Sequence, residues 1–461
     1  MDEKSTLALE NFSAETFSPY DPSMPYVQIF PRVQAAIAHS LTKEVDSLGE
    51  DELKRYIRRY IVANRVRCDA AQDVDSLCSF IYHDMAGLSF ISRENLLEMS
   101  GFEELDINSW DDIEIIVNGE RKKTAYRFHS PGQALDIILR IFRQTSTNFD
   151  VATPRATADI GSGVRITALR VPLVDEDVGV AASIRKVNTQ TVSRERLVGS
   201  GLTDEMMSFL ELCILHGVSI CVSGETGAGK TTLAGALLQC AVDRSLRVYT
   251  IEEGSREWNF VARDAKGAVT TSVIHTKTRP TERDANHMAQ DVTQEELVKD
   301  SLRFNPTIIS PGEIRGREAF EVMGVSNTGH TVITTVHSNG TLDTPERIVT
   351  LAKKAYDMSD HTLYSMCARA FPLLVHMAQG ADRRRRVTEI REVCGYSEKG
   401  LNTRLLWEFS VTDNIYEGDV CTFVRGEWVK TNPMSDALKS ALLKKGAKRS
   451  EIERFAAKPE A

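Results

Sequence analysis

A glycine-rich segment in the middle of the chain constrains its fold more than any other feature. The segment reads Gly224-Glu-Thr-Gly-Ala-Gly-Lys-Thr231 and fills every fixed position of the pattern G-x-x-x-x-G-K-[ST]. The apolar run 219–223 before it predicts a buried strand, and residues 232–241 after it repeat small and apolar side chains at helical spacing. Strand, glycine loop and helix in this order predict an α/β domain whose loop N–H groups cradle phosphate oxygens.

The same loop predicts the ligand, a nucleoside triphosphate with a magnesium ion. Lys230 can reach the β- and γ-phosphates, and the hydroxyl of Thr231 can ligate Mg²⁺. The positive end of the following helix points at the same place. The predicted nucleotide-binding residues are Gly224, Glu225, Thr226, Gly227, Ala228, Gly229, Lys230, Thr231 and Thr232.

Length and composition limit the remaining possibilities. A chain of 461 residues is too long for one ordinary core, so two or three domains are expected. The net charge of −9 disfavours direct nucleic-acid binding, which normally needs a basic face. The 8 cysteines include no CxxC pair and favour a reducing compartment. Because we find neither a signal peptide nor a long apolar run, we expect a cytoplasmic protein.

Residues 1–69 are predicted to form an N-terminal extension, partly disordered and then helical. Four prolines up to position 31 predict an extended or poorly ordered start. Leu53, Ile57 and Ile61 then lie on one face of a predicted helix whose other faces are basic. Such a helix either docks on a partner or an anionic lipid surface, or packs inside the protein with a solvated basic face; the pattern favours the second interpretation.

Residues 70–195 are predicted to form a smaller α+β domain. Residues 112–119 alternate in polarity and end in Asn-Gly, which predicts a β-hairpin. Ser130-Pro131 predicts the start of a helix whose buried stripe includes Ile137 and Ile141. Short strands are expected near residues 164–169 and 180–184.

In residues 196–461 strands and helices alternate, which predicts a mostly parallel sheet with helices on both faces. Further strand candidates end in residues capable of chemistry: Glu252, Glu313 (after Pro311-Gly312) and His337. Because ligands bind at the carboxyl ends of parallel strands, we expect these side chains to converge on the triphosphate. Hydrolysis needs such an arrangement, with one carboxylate to activate water and another to support magnesium.

These motifs together resemble the secretion-superfamily traffic ATPases of bacteria and archaea. The resemblance adds an acidic box at 250–253, a Gly-Glu motif at 312–316 and a histidine box at 329–337 to the phosphate loop, and it spans about residues 70–410. Within that superfamily the chain looks most like the branch that serves type IV secretion and Tad (Flp) pilus assembly. The resemblance implies a RecA-like motor domain that hydrolyses ATP with Mg²⁺, preceded by the smaller α+β domain.

The resemblance also implies roles for individual residues. Glu252 would activate water, Glu313 would support magnesium and the attacking water, and His337 would sense the γ-phosphate. Arg165 and Arg185 would reach the phosphates from the N-terminal domain. The remaining carried-over candidates are Thr231 and Glu253 as metal ligands, with Arg279 and Arg315 as further phosphate contacts.

By the same resemblance the protein would be a homohexamer at the cytoplasmic face of the inner membrane, held there by platform or secretion-channel proteins. Glu253 stands where the family usually has aspartate, and Ser310-Pro311 interrupts a normally aliphatic strand. Two alternatives stay open: a nucleic-acid-translocating ring ATPase, and a nucleotide-binding regulator with little turnover. The run Arg383–Arg386 is interpreted as a solvated turn rather than an anion site, and His361 and His376 as surface and core residues.

Overall fold

The chain divides into two compact units, Met1–Val187 and Asn188–Ala461, and each is described by itself. The computed structural model describes residues 23–40, 49–68, 70–145, 147–161, 163–186, 193–253, 256–279, 291–398 and 400–456.

The first unit joins a helical part to an antiparallel sheet. Its elements are β1 (Ser23–Met24), α1 (Tyr26–Ser40), α2 (Glu50–Ala63), β2 (Arg67–Cys68), α3 (Val74–Met85), α4 (Phe90–Arg93), β3 (Phe102–Ser109), β4 (Asp112–Val117), β5 (Glu120–Lys123), α5 (Pro131–Arg143), β6 (Arg155–Ile160), β7 (Val164–Arg170) and β8 (Val180–Lys186). The antiparallel sheet has the order β5-β4-β3-β8-β7-β6.

Local sequence signals in this sheet domain are confirmed. Asn118 and Gly119 connect β4 to β5 with φ of +51° and +76°, the left-handed conformation that a tight hairpin turn needs. The hydroxyl of Ser130 accepts the N–H of Gln133, and Pro131 opens α5. Helix α5 buries its predicted apolar stripe in the core beneath the sheet.

The helical part corrects one prediction and confirms another. Residues 26–32 are not extended, because Ile29, Val33 and Ile37 are spaced for one helical face and bury themselves despite Pro31 inside α1. Residues 1–22 lie outside the described chain. Helix α2 buries its predicted stripe in the same core. This confirms the interpretation of α2 as a packed helix with a basic outer face.

The second unit is built on one large sheet. Its elements are α6 (Arg194–Leu197), α7 (Asp204–Leu215), β9 (Ile220–Gly224), α8 (Lys230–Asp243), β10 (Val248–Glu252), β11 (Val273–Lys277), α9 (Gln294–Ser301), β12 (Ile308–Pro311), α10 (Glu318–Asn327), β13 (Thr331–Val336), α11 (Thr344–Ala352), α12 (Asp360–Ala370), β14 (Leu373–Gln379), β15 (Arg385–Ser397), β16 (Gly400–Glu417), β17 (Val420–Lys430), α13 (Asp436–Lys444) and α14 (Arg449–Ala456). The strand order is β11-β10-β12-β13-β9-β14-β15-β16-β17.

The predicted mostly parallel sheet is confirmed from β11 to β14, and β15 to β17 extend it in antiparallel fashion. One core packs α7, α8, α13 and α14 on the first face, and a second core packs α9 to α12 on the other. The glycine-loop strand β9 lies in the interior of this sheet, with β12 one strand removed and β10 two strands removed on the same side. This is the RecA-like arrangement of an α/β motor domain.

Strand β12 accommodates its proline through the neighbouring serine. Pro311 has no N–H to donate to β13. The Ser310 hydroxyl donates instead to the carbonyl oxygen of Ile333 on β13, at 2.9 Å. Beyond the proline, Ile314 N–H donates to Thr335 O at 2.8 Å and restores the connection between the two segments. The Ser-Pro pair therefore leaves β12 in the sheet, with Glu313 directly after it.

The predictions for two histidines of the second unit are confirmed. His361 is exposed, and His376 is buried with its Nδ1 3.1 Å from the Ser223 hydroxyl. In the part of the chain that the structure describes, all eight cysteines are free thiols. No helix among the described residues has both the length and the apolar character needed to cross a bilayer.

Candidate active site

The glycine loop between β9 and α8 has the backbone conformation that its sequence requires. Gly224 has φ of +148°, and a Cβ there would lie 2.1 Å from the carbonyl oxygen of Met377. Gly229 has φ of +95° directly before the first residue of α8. Side chains other than hydrogen are strained at both positions. The loop therefore wraps closely around the N-terminus of α8.

Lys230 lies at the mouth of this loop and is mostly buried. Its ammonium donates to the carbonyl oxygens of Gly224 and Glu225 at 2.9 and 2.8 Å. Nδ1 of His337 lies 3.4 Å from the same nitrogen. Burial lowers the pKa of Lys230, although the nearby Glu313 carboxylate opposes that effect.

His337 connects Lys230 to Glu313. It follows β13, and its Nε2 lies 3.1 Å from Oε1 of Glu313. Burial and the Lys230 charge lower the pKa of His337, so the imidazole is neutral at pH 7 and can accept from Lys230. Burial alone would raise the pKa of Glu313, but Arg315, His337 and Lys230 outweigh it and lower that pKa. Of the three strand-end residues predicted to converge on the triphosphate, the structure brings Glu313 and His337 together beside the loop lysine.

Arg315 joins the two acidic motifs. One guanidinium nitrogen lies 2.7 Å from Glu313 Oε2, and the other lies 2.8 Å from Glu253 Oε2. Glu253 is exposed at the end of β10. Hydrogen bonding to Glu313 raises the pKa of Arg315, which therefore stays charged. The predicted metal residue Glu253 and the predicted phosphate contact Arg315 thus form one ion-paired group with Glu313.

Glu252 occupies a different environment at the last position of β10. It is 5% exposed, and its Oε1 accepts the N–H groups of Glu257 and Trp258 at 2.5 and 3.1 Å. Its other oxygen, Oε2, is buried and accepts no hydrogen bond from the described residues. Burial raises the pKa of Glu252 to about 7, although the two N–H groups act in the opposite direction. A carboxyl in this state is suited to take a proton near neutral pH.

The other predicted arginines belong to other elements of the chain. Arg165 on β7 and Arg185 on β8 belong to the first unit and are direct cross-strand partners. Each also has an acidic cross-strand neighbour, Asp159 for Arg165 and Glu104 for Arg185, and Nε of Arg165 lies 3.9 Å from Oδ1 of Asp159. Arg279 follows β11, exposes its side chain and pairs its backbone with Val292.

Two features of the site were missed by sequence reasoning. Trp258 contacts both Glu252 and α8, and the pattern of the chain carries no signal for it. The arginine run at the β14–β15 turn is exposed from Arg383 to Arg385, as predicted, but the prediction is wrong for Arg386, which is 5% exposed and pairs with Asp382 at 2.6 Å. The stem of Arg385 also lies against the loop, with Cδ 3.6 Å from the place of a Cβ on Gly229.

The residues present fit a hydrated divalent cation bound together with a triphosphate. Oε2 of Glu252 is a buried oxygen that accepts no hydrogen bond from the described part of the chain, and Oε1 of Glu313 is a buried oxygen with Nε2 of His337 3.1 Å away. Thr231 adds a hydroxyl in the first turn of α8. Magnesium prefers such oxygen ligands, completed by water and phosphate. No cluster of three or more His, Cys, Asp or Glu side chains suited to a metal occurs among the described residues, so phosphate oxygens would have to complete the site.

Comparison with known proteins finds a matching family model, sequence relatives and solved structures. The family model described as "Type II/IV secretion system protein" matches residues 134–439. A putative conjugal transfer protein of Mycobacterium tuberculosis is 26% identical over 309 residues, covering 64% of this chain and 82% of that protein. Conjugal transfer protein TrbB of Rhizobium radiobacter is 28% identical over 247 residues, covering 52% of this chain and 68% of the relative. The structure of the Legionella pneumophila ATPase DotB is 20% identical, with a TM-score of 0.45, over 67% of this chain and 81% of its own.

Proposed function

The chain belongs to the type II/IV secretion system protein family, and from this membership we propose that it is an ATP-hydrolysing motor. Its work would be to power pilus assembly, or secretion or conjugative transfer, through an inner-membrane machine. The motor would act as a homohexamer at the cytoplasmic face of that membrane, held by platform or channel proteins. The two relatives named above are named as conjugal transfer proteins, which supports a role in transfer. Their names do not decide between conjugation, secretion and pilus assembly for this chain.

One observation carries the proposal of hydrolysis: His337 contacts both Lys230 and Glu313 at the glycine loop. Lys230, which would bind the β- and γ-phosphates, is thereby linked through the neutral imidazole of His337 to the carboxylate of Glu313. Glu313 follows β12, which is separated from the loop strand β9 only by β13. A γ-phosphate that drew Lys230 toward itself would change the partner of His337 and, through it, of Glu313. Through such a connection, the contacts of Glu313 after β12 would depend on which nucleotide is bound.

Glu252 would accept the proton of the attacking water. Its Oε1 is fixed by two N–H groups, and its Oε2 is left for a further partner. The pKa of about 7 makes the carboxyl basic enough to take a proton and acidic enough to release it. Glu313 would orient the water and support the cation.

Magnesium, when bound, would neutralise charge on the β- and γ-phosphates. Thr231 and Glu253 would hold it, with Glu313 as further support. Arg315 keeps Glu253 and Glu313 together through its two ion pairs. Arg165 and Arg185 would add positive charge from the first unit at the moment of phosphoryl transfer.

The test is ATP turnover and ATP binding by the purified full chain and three variants. Lys230→Ala is expected to lose both binding and turnover. Glu252→Gln is expected to bind ATP with unchanged affinity and lose turnover by about 10²-fold or more, the lower end of the range for general acid–base catalysis. Glu417→Gln, the same chemical change at the exposed end of β16, should behave as wild type.

Turnover by Glu252→Gln at the wild-type rate would remove Glu252 from its proposed role. A wild-type protein that binds ATP without turnover in its oligomeric fraction would instead identify a regulator. Stimulation by DNA that disappears with rising salt would identify a nucleic-acid motor.

A further inference from the structure

Trp258 joins the carboxylate side of the site to the glycine-loop helix. Its main-chain N–H donates to Oε1 of Glu252 at 3.1 Å, and its indole N–H donates to the carbonyl oxygen of Thr231 at 3.2 Å. Thr231 lies in the first turn of α8, directly after Lys230. A single residue therefore contacts both groups that must act together on one phosphate.

The indole of Trp258 also lies beside Gly235 of α8, which has no side chain. A Cβ on Gly235 would lie 2.8 Å from Nε1 and 3.1 Å from Cδ1 of Trp258. Real Cβ atoms essentially never come within 3.0 Å of such an atom, so a side chain at position 235 would displace the indole. Glycine inside a helix lowers its stability, and a packing requirement explains why α8 contains one there.

Trp258 is itself held firmly. It is 5% exposed, lies in the core cluster that includes α8, and stacks on Phe260 at 6.1 Å between ring centroids. Phe260 is fixed in turn, because its N–H donates to Nε2 of His275 on β11 at 3.3 Å. Residues 256–260, here named the Trp258 segment, are thus anchored to α8 at one point and to the sheet at others.

We propose that Trp258 is a positioning residue that fixes the Glu252 carboxylate relative to the N-terminus of α8. The inference rests on the proposed role of Glu252 in hydrolysis. Because the indole bond ends on Thr231, a movement of the phosphate-binding turn moves the Trp258 segment, and the N–H groups on Oε1 move with it. Oε2 then keeps its place relative to the γ-phosphate. ATP affinity resides in the loop itself and does not depend on Trp258.

Trp258→Phe tests this directly, because phenylalanine keeps an aromatic ring on α8 and removes the indole N–H. We expect kcat to fall on the order of tenfold while KM and the ATP dissociation constant change by less than about twofold, the pattern of lost orientation rather than lost binding. Gly235→Ala, which displaces the indole from the other side, should produce the same separation of kcat from KM.

Trp428→Phe is the matched control. Its indole N–H also donates to a main-chain carbonyl, that of Val387, at 2.8 Å, in the β-hairpin of the second unit. The same kind of bond is lost at this partly buried indole, so any general effect of removing an indole hydrogen bond appears in both variants. We expect Trp428→Phe to keep wild-type kcat and KM.

The outcomes separate this inference from the proposed function. If Glu252→Gln is inactive but Trp258→Phe and Gly235→Ala turn over ATP as Trp428→Phe does, Trp258 does not position Glu252. A loss of ATP affinity in Trp258→Phe equal to its loss of kcat would also overturn the inference. If Glu252→Gln retains turnover, the proposed function of Glu252 fails, and the positioning role fails with it.

Discussion

Replacing Glu252 with glutamine is expected to change the pH dependence of stability as well as turnover. The carboxyl has a pKa of about 7 in the folded protein, against an ordinary value of 4.5, and burial is the main cause. Each pKa unit corresponds to about 1.36 kcal/mol. Full ionisation of Glu252 therefore costs the folded state about 3 kcal/mol more than it costs the unfolded chain.

The sign follows from which state holds the proton. Between pH 4.5 and about 7 the folded protein keeps Glu252 protonated while the unfolded chain has released that proton. The stabilising contribution is complete below pH 4.5 and is lost as the pH rises to about 7. Glutamine keeps an oxygen for the N–H groups of Glu257 and Trp258 but has no proton to lose. Its buried amide lacks a partner, which lowers the free energy of unfolding of the Glu252→Gln protein by about 1 kcal/mol equally at every pH.

The assay is urea unfolding from about pH 5 to about pH 9 in the presence of EDTA and without nucleotide. Tryptophan fluorescence in a Trp110→Phe background reports on the second unit alone, because the other tryptophans, Trp258, Trp407 and Trp428, all lie there. Relative to wild type, Glu252→Gln should gain about 2–3 kcal/mol across this range.

A difference between the two proteins that stays constant with pH would refute the reasoning, because it would mean that Glu252 ionises as an ordinary glutamate. Glu313→Gln is the control of opposite sign. Arg315, His337 and Lys230 lower the pKa of Glu313 against its burial, so its ionised form stabilises the fold above pH 4.5, and that contribution is lost as the pH falls below this value. Glu313→Gln should therefore be less stable than wild type at neutral pH, with the difference shrinking in acid.

Further predictions concern positions whose environments are equally specific. Gly229→Ala should weaken binding of a fluorescent ATP analogue by more than about tenfold, because alanine at φ of +95° strains the loop by about 1–3 kcal/mol. Unchanged affinity would contradict the need for glycine there. Gly324→Ala in α10, where a Cβ meets nothing within 4 Å, should raise the free energy of unfolding by about 0.5–1 kcal/mol in urea titrations, and a loss of stability would show that the helix face is occupied. Asp382→Asn should lower the free energy of unfolding at pH 7 by about 3 kcal/mol, because it leaves Arg386 buried without its carboxylate partner. The Arg386 hydrogen bond holds the pKa of Asp382 below 3.8, so the difference from wild type should fade as the pH falls below that value. A difference that persists in strong acid would contradict the pairing.

Local patterns in the sequence were sufficient for much of the fold. The predicted strand at 219–223 corresponds to β9 with a shift of one residue at either end, and the strand candidates before Glu313 and His337 correspond to β12 and β13. Their signals are short apolar runs between turn residues, which specify a buried strand without tertiary help. The prediction failed at residues 26–32, where prolines suggested extended chain but apolar spacing and burial produced α1.

Sequence order could not give the arrangement of the strands. Chain order places Glu252 first after the loop, yet β10 lies beyond both β13 and β12, and it is Glu313 that approaches His337 and Lys230. Which strands pair depends on contacts between distant residues, and no local pattern encodes these. The same holds for Arg386, whose burial depends on Asp382 and on the neighbouring hairpin.

The sequence by itself determined the phosphate loop, its lysine and the acidic and histidine residues at strand ends, because each depends on residue type at fixed local spacing. Only the tertiary structure decided what each carboxylate can do. Glu313 is surrounded by cations and kept ionised, whereas Glu252 is buried on N–H groups and has a pKa of about 7. The indole of Trp258 fits against Gly235, although these residues are unrelated by any sequence pattern. Burial and charge depend on neighbours brought together by folding, so chemically identical side chains acquire different roles.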